Sequence, residues 1–287
     1  MRNLKLALVV ALAAGGCGGS TPTGGGGGSG GGGGSAPKNW LAGDHGTLAA
    51  TTDGAHYVLA SSRPTDADLL TLFCVTNEVG WAAGEAGVLL ATTNGGATWT
   101  LHSTGIGASL RAVSFADPAV GVAVGDAATV LFSSDGGVTW AQGSLAVDPS
   151  TALYAAAFAR DRSVAWLAGD GVIARSTDAG ATWSAAATAP GAPAGVSIAA
   201  DGSRIVAVGG AGLVWRSVDA GATFARAGST ATADLVAVGF ADAGLEAGWA
   251  VGGAGTVVRT VDGGATFAAL PTGLTANLTA VEDFSGY

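Results

Sequence analysis

Arg175, Arg216 and Arg259 each stand immediately before a copy of one recurring eight-residue phrase. Guanidiniums at equal spacing can grip carboxylates or carbonyls through paired hydrogen bonds. The chain has 12 Lys and Arg against 21 Asp and Glu, a formal net charge of −9, so this row is a local positive stripe on an acidic body. It is the candidate site for a protein partner. The competing use is internal, with each Arg pairing to an Asp or a carbonyl of the adjacent repeat. The matching places in the earlier repeats hold Ala50, Ala91 and Phe132.

Other chemistry-bearing residues are sparse. Of three tyrosines, only Tyr154, in the run Leu153–Phe158, sits where a nucleophile could face an axial opening; Arg111 holds the matching place one repeat earlier. Asp44, Glu85, Asp126 and Asp170 each follow a Gly that ends a strand-sized run, which sets an acidic arc on one face. Asp after Gly is also ordinary turn chemistry, and the dense oxygen-ligand spacing of a calcium loop is missing. His45, His56 and His102 fall in turns or strand ends without a second ligand at metal spacing. These residues point to no catalytic set, no metal and no cofactor. The acidic surface argues against nucleic acid.

The phrase itself carries the fold. It reads Thr92-Thr-Asn-Gly-Gly-Ala-Thr-Trp99 and Ser133-Ser-Asp-Gly-Gly-Val-Thr-Trp140, then Ser176-Thr-Asp-Ala-Gly-Ala-Thr-Trp183. It returns before Phe224 and Phe267, and a degenerate copy runs from Thr51 to Val58. Its third residues, Asp53, Asn94, Asp135, Asp178, Asp219 and Asp262, recur about every 42 residues, which marks stacked supersecondary units. Each Asp or Asn accepts backbone N–H groups in a tight turn, and Trp99, Trp140 and Trp183 bury their rings against the sheet. A second aromatic register is Trp40, Trp81, Trp166 and Trp249, with Val122 and Val206 in the remaining repeats.

Between phrases lie short apolar runs and Gly turns, four strands to a unit and none of helical period. The expectation is all-β: a six-bladed β-propeller of four-stranded antiparallel blades over residues 38–287. The first unit opens at its second strand, Trp40-Leu-Ala-Gly43, and a spare first strand, Leu278-Thr-Ala-Val281, ends the chain. Joining them would close the ring and remove open sheet edges.

The phrase resembles the Asp-box, or BNR repeat, and the longer unit Gly248–Phe267 resembles the repeat of the photosystem II assembly and stability factor family. That resemblance implies a propeller that binds protein partners through an Arg-rich surface. Asp-boxes also occur in sialidases, which makes a glycoside hydrolase or glycan-binding propeller the alternative. That alternative requires Tyr154, Arg111 and a carboxylate to converge at one end of the axis.

Residues 1–16 read as a lipoprotein leader: Arg2 and Lys5, the apolar run Leu6–Ala14, then Gly15-Gly16 before Cys17. The run is too short to span a bilayer. Cys17 is the expected lipidation site, and 17–37, almost wholly Gly, Ser, Thr and Pro, the flexible tether. An exported lipoprotein of the outer membrane, cell surface or periplasm follows, monomeric and membrane-attached by its acyl chains alone. Loss of Arg2 and Lys5 with the leader makes the body still more acidic. Cys74, the second of two cysteines, is expected to be an unpaired core residue once Cys17 is acylated.

Overall fold

The computed structural model describes residues 9–11, 39–51, 56–159, 164–186, 199–200, 203–240, 246–279 and 281. Strands dominate, interrupted by four three-residue 3-10 turns such as Asp44–Gly46. No helix among the described residues is long and apolar enough to cross a membrane.

The described strands form six sheets, one for each repeat. The third shows the plan: Leu110–Phe115, Gly121–Gly125, Val130–Ser133 and Ala141–Gln142, each antiparallel to the next. Two sheets gain a fifth, parallel strand from the tail of the preceding repeat. Ser144–Leu145 lies on Thr182–Ala185 of the fourth sheet, and Gly228–Ser229 on Thr266–Ala269 of the sixth. The innermost strands of consecutive sheets contact one another from Val9–Ala11 through to Leu235–Phe240.

Rings fill the seams between sheets. Trp40 meets Trp99 edge-on at 5.7 Å, Trp81 stacks on Phe115, and Trp166 meets Phe224 at 6.2 Å. Such pairs contribute about 0.5–1.5 kcal/mol each beyond the area they bury.

The phrase turns are closed by their own side chains. Asp219 Oδ1 accepts from Ser217 Oγ (2.8 Å) and Thr223 N (2.9 Å), and Oδ2 accepts from Thr223 Oγ1 (2.6 Å). Ser217 Oγ in turn accepts from Gly221 N. The same bonds recur around Asp135, Asp178 and Asp262, and Asn94 keeps the geometry with a neutral amide. Asp53 lies outside the described residues.

Three expectations need correction. The innermost place of the first sheet holds Val9–Ala11, antiparallel to Asn39–Gly43, where Leu278–Val281 was expected. Residues 280 and 282–287 lie outside the described set, and no pairing of the C-terminal segment with the first sheet occurs among the described residues. Asn277 and Leu278 nonetheless stand as a first strand begins. Leu278 N donates to Gly252 O as Leu235 N does to Gly209 O. Asn277 Oδ1 accepts from Ala254 N as Asp234 Oδ1 does from Ala211 N.

The degenerate first phrase is also one residue short. Val58 pairs with Ala50 as Thr100 pairs with Ala91, so Tyr57, not Val58, occupies the place of Trp99. Tyr57 is 40% exposed there against 6% for Trp99.

Cys74 is buried in the core at 3% exposure, as expected, but it is disulfide-bonded. The sequence holds one other cysteine, Cys17, which lies outside the described residues. The expectation takes Cys17 to be consumed by lipidation, which leaves Cys74 without a partner.

Candidate functional site

Arg175, Arg216 and Arg259 occupy equivalent places on third strands, opposite Trp166, Val206 and Trp249. Their surroundings differ. Arg216 is half-buried, and its Nε donates to Gly263 O at 2.7 Å across the seam to the sixth sheet. At the second seam the equivalent carbonyl, Gly136 O, accepts from Trp81 Nε1 at 2.9 Å. The fifth repeat carries Val206 where Trp81 stands, and the guanidinium supplies the donor that the indole supplies elsewhere. Arg259 is exposed, with its guanidinium carbon 5.6 Å from the Trp249 ring centre. Arg175 is half-buried, and its Nε is buried without a hydrogen-bond partner. The stripe therefore exists in register, but Arg216 is part of the packing and Arg259 is the member most open to a partner.

A second polar group links the third and fourth sheets. Arg111 donates to Asp126 through Nε (2.5 Å) and Nη2 (3.0 Å) and lies 5.5 Å from the Tyr154 ring centre. Tyr154 Oη donates to Asp170 Oδ2 at 3.4 Å. Sequence reasoning named Arg111 and Tyr154 apart from the acidic series, and the fold joins them. The signal was the shared register of strand starts and following turns.

The electrostatics do not favour a tyrosine nucleophile. Burial and then the Asp170 charge push the Tyr154 hydroxyl above its ordinary pKa, which disfavours the phenolate. The Asp126 hydrogen bond holds the Arg111 guanidinium protonated and engaged. Asp44 and Glu85 stand at the equivalent turns of the first two sheets. Among the described residues no three His, Cys, Asp or Glu gather as a metal site.

His45, in a left-handed conformation (φ 54°), donates its backbone N–H to Asp68 Oδ1 at 2.8 Å. His56 lines a groove of about 230 Å3 between the first and second sheets, with Ala50, Val58, Leu59, Asn94 and Gly95. His102 lies in an open depression beside Leu101 and Ile106. Neither hollow was anticipated: the first lies between two sheets, and the second is lined by residues within 86–106 of a single repeat.

The model of the photosynthesis system II assembly factor YCF48 family matches residues 102–233. No protein of curated function matches the chain in sequence. Among solved structures, one titled "YCF48 bound to D1 peptide" aligns with TM-score 0.60 at 16% identity, covering 81% of this chain and 76% of that one. YCF48 from Cyanidioschyzon merolae aligns with TM-score 0.61 at 17% identity over 85% of each chain. An ancestral GH74 enzyme aligns with TM-score 0.65 at 13% identity, over 78% of this chain but 34% of its own length. The chain thus resembles the assembly-factor propellers in its repeat and its fold.

Proposed function

We propose that this chain is a non-catalytic propeller that holds a protein partner as an assembly scaffold. The observation that carries the reading is the guanidinium row at one register of three consecutive sheets on an otherwise acidic chain. A relative solved with a bound peptide supports a peptide or protein as the partner class. The stripe is the proposed contact, with Arg259 and Arg175 reaching the partner and Arg216 holding the seam.

In the same reading the mature chain begins at a lipidated Cys17 and stands off an exported membrane face on its tether. The ring closes as six blades when Leu278–Val281 takes the innermost place of the first sheet. Lipidation of Cys17 and a Cys17–Cys74 bond exclude one another, because one sulfur cannot carry both.

The test is a pull-down from a membrane fraction with the full chain and with an Arg175→Ala/Arg259→Ala variant. Loss of a specific protein band in a variant that melts like the parent supports the stripe; an unchanged set of bands rejects it.

The Arg111–Tyr154–Asp170 contacts and the likeness to a GH74 enzyme favour one second reading, a glycan-binding or glycoside-cleaving propeller. Release of the leaving group from aryl glycosides, abolished by Tyr154→Phe, would establish it against the scaffold reading.

A further inference from the structure

The groove between the first and second sheets is what remains when one side chain of the repeat stops at Cβ. At the first and third seams the residue before the phrase approaches a glycine of the next sheet's phrase. The Ala50 Cβ lies 3.6 Å from where a Cβ on Gly96 would stand, and the Phe132 Cβ lies 3.4 Å from the same point on Gly180. The approach is equal and the length is not. The Phe132 side chain packs against the cluster that holds Val122 and Trp183. Arg216 spans the fifth seam. Ala91, as short as Ala50, packs against the cluster of Trp81 and Phe115, as Ala50 packs against that of Trp40 and Trp99. At the first seam no described residue takes the space, and a groove of about 230 Å3 lies between the sheets.

Its chemistry selects an occupant. The rim carries Val58 and Leu59, 71% and 69% exposed, and the walls are Ala50, Ala60, Ala97 and two glycines, with Thr51, His56 and Asn94 as the polar members. Among the described residues that line it none is a carboxylate, and Asn94 stands where the later phrases carry Asp. A mainly apolar lining on a charged body complements an apolar group. The volume exceeds the roughly 150 Å3 of an apolar cavity that admits benzene.

We propose that this groove is an anchor pocket for one phenyl side chain presented by a partner protein, in the place that Phe132 fills from within at the third seam. A buried aromatic anchor of this kind commonly dominates the energy of an interface. The proposal rests on the reading of the chain as a protein-binding scaffold. Its test is separate, because a ring can enter the groove whether or not the arginine row holds anything.

The probe is N-acetyl-phenylalanine amide, titrated into the full chain and followed by amide NMR at Gly95 and Gly96 and at the Trp40 indole N–H. That indole nitrogen is buried without a partner and lies 3.5 Å from the Cβ point on Gly96. Saturable shifts at these groups are expected, at least about tenfold weaker for the alanine and arginine amides. Ala50→Phe should abolish them by filling the groove. Should that variant fail to fold, Leu59→Asp at the exposed rim should weaken the probe by a similar factor. The proposal is overturned if the phenylalanine probe gives no saturable shift, if the arginine amide binds better, or if the response survives in folded Ala50→Phe.

Discussion

Arg216 Nε donates to the backbone carbonyl of Gly263 across the seam between the fifth and sixth sheets, at 2.7 Å. The equivalent carbonyl two seams from the start is held by the indole of Trp81. Two unlike side chains thus perform one structural task, from different strands of their sheets. A row of arginines equal in sequence is therefore unequal in role.

Arg216→Ala should lower stability by about 1–2 kcal/mol, because it removes a charged donor from a carbonyl at a packed seam. Arg259→Ala, whose guanidinium is exposed over Trp249, should stay within about 1 kcal/mol of the parent. Urea unfolding of the two variants side by side checks this. Equal losses would mean that the Gly263 bond contributes nothing special.

Ala128→Gly should stabilise the chain by about 1 kcal/mol. Ala128 holds φ 52°, in the turn position where other repeats carry Gly46, Gly87, Gly212 and Gly255 at φ 66–70°. Gly212→Ala is the converse, since its new Cβ would stand 2.1 Å from Ala231 O. Thermal melts should move in opposite directions, and a drop in the Ala128→Gly melt would contradict the strain assigned here.

Acid should weaken the phrase turns between about pH 4 and pH 2. Hydrogen bonds from the Thr223 hydroxyl and backbone N–H pull the Asp219 carboxyl from 3.8 to about 2, and Thr139 does the same for Asp135. A folded pKa below the unfolded one gives stability that is present above 3.8 and lost as pH falls towards 2. Asp219→Asn, built on the neutral turn at Asn94, should flatten that dependence. Urea midpoints measured from pH 5 to pH 2 decide it, and an unchanged acid slope in the variant would remove Asp219 as a source.

The fate of Cys74 should report the fate of Cys17. A digest of the unprocessed chain without reductant should yield one cross-linked pair containing both residues. A chain acylated at Cys17 should instead yield a Cys74 peptide that takes up an alkylating agent once unfolded. An acylated Cys17 beside a Cys74 still disulfide-bonded within the same monomer is chemically excluded. Finding a disulfide there would therefore require a second molecule and defeat the expectation of a monomer.

The residues alone determined whatever is local. The Asp219 turn closes through bonds spanning two to four residues, so its Ser, Asp, Gly and Thr were legible as a turn before any fold was known. Strand runs and the 42-residue period followed in the same way, and with them six sheets of one plan. Leu278, read from the sequence as the start of a first strand, makes the backbone bond that Leu235 makes, although its strand is not paired among the described residues.

Only the tertiary structure decided what meets across a seam. The Arg216 and Trp81 bonds span 47 and 55 residues, and their acceptors are main-chain carbonyls that every residue possesses. No side-chain type marks such a partner in advance. The meeting of Arg111 with Tyr154 and the groove over Ala50 share that origin. Each depends on the distance between elements remote in sequence, and that distance is set by how the sheets pack rather than by the chemistry of any one repeat.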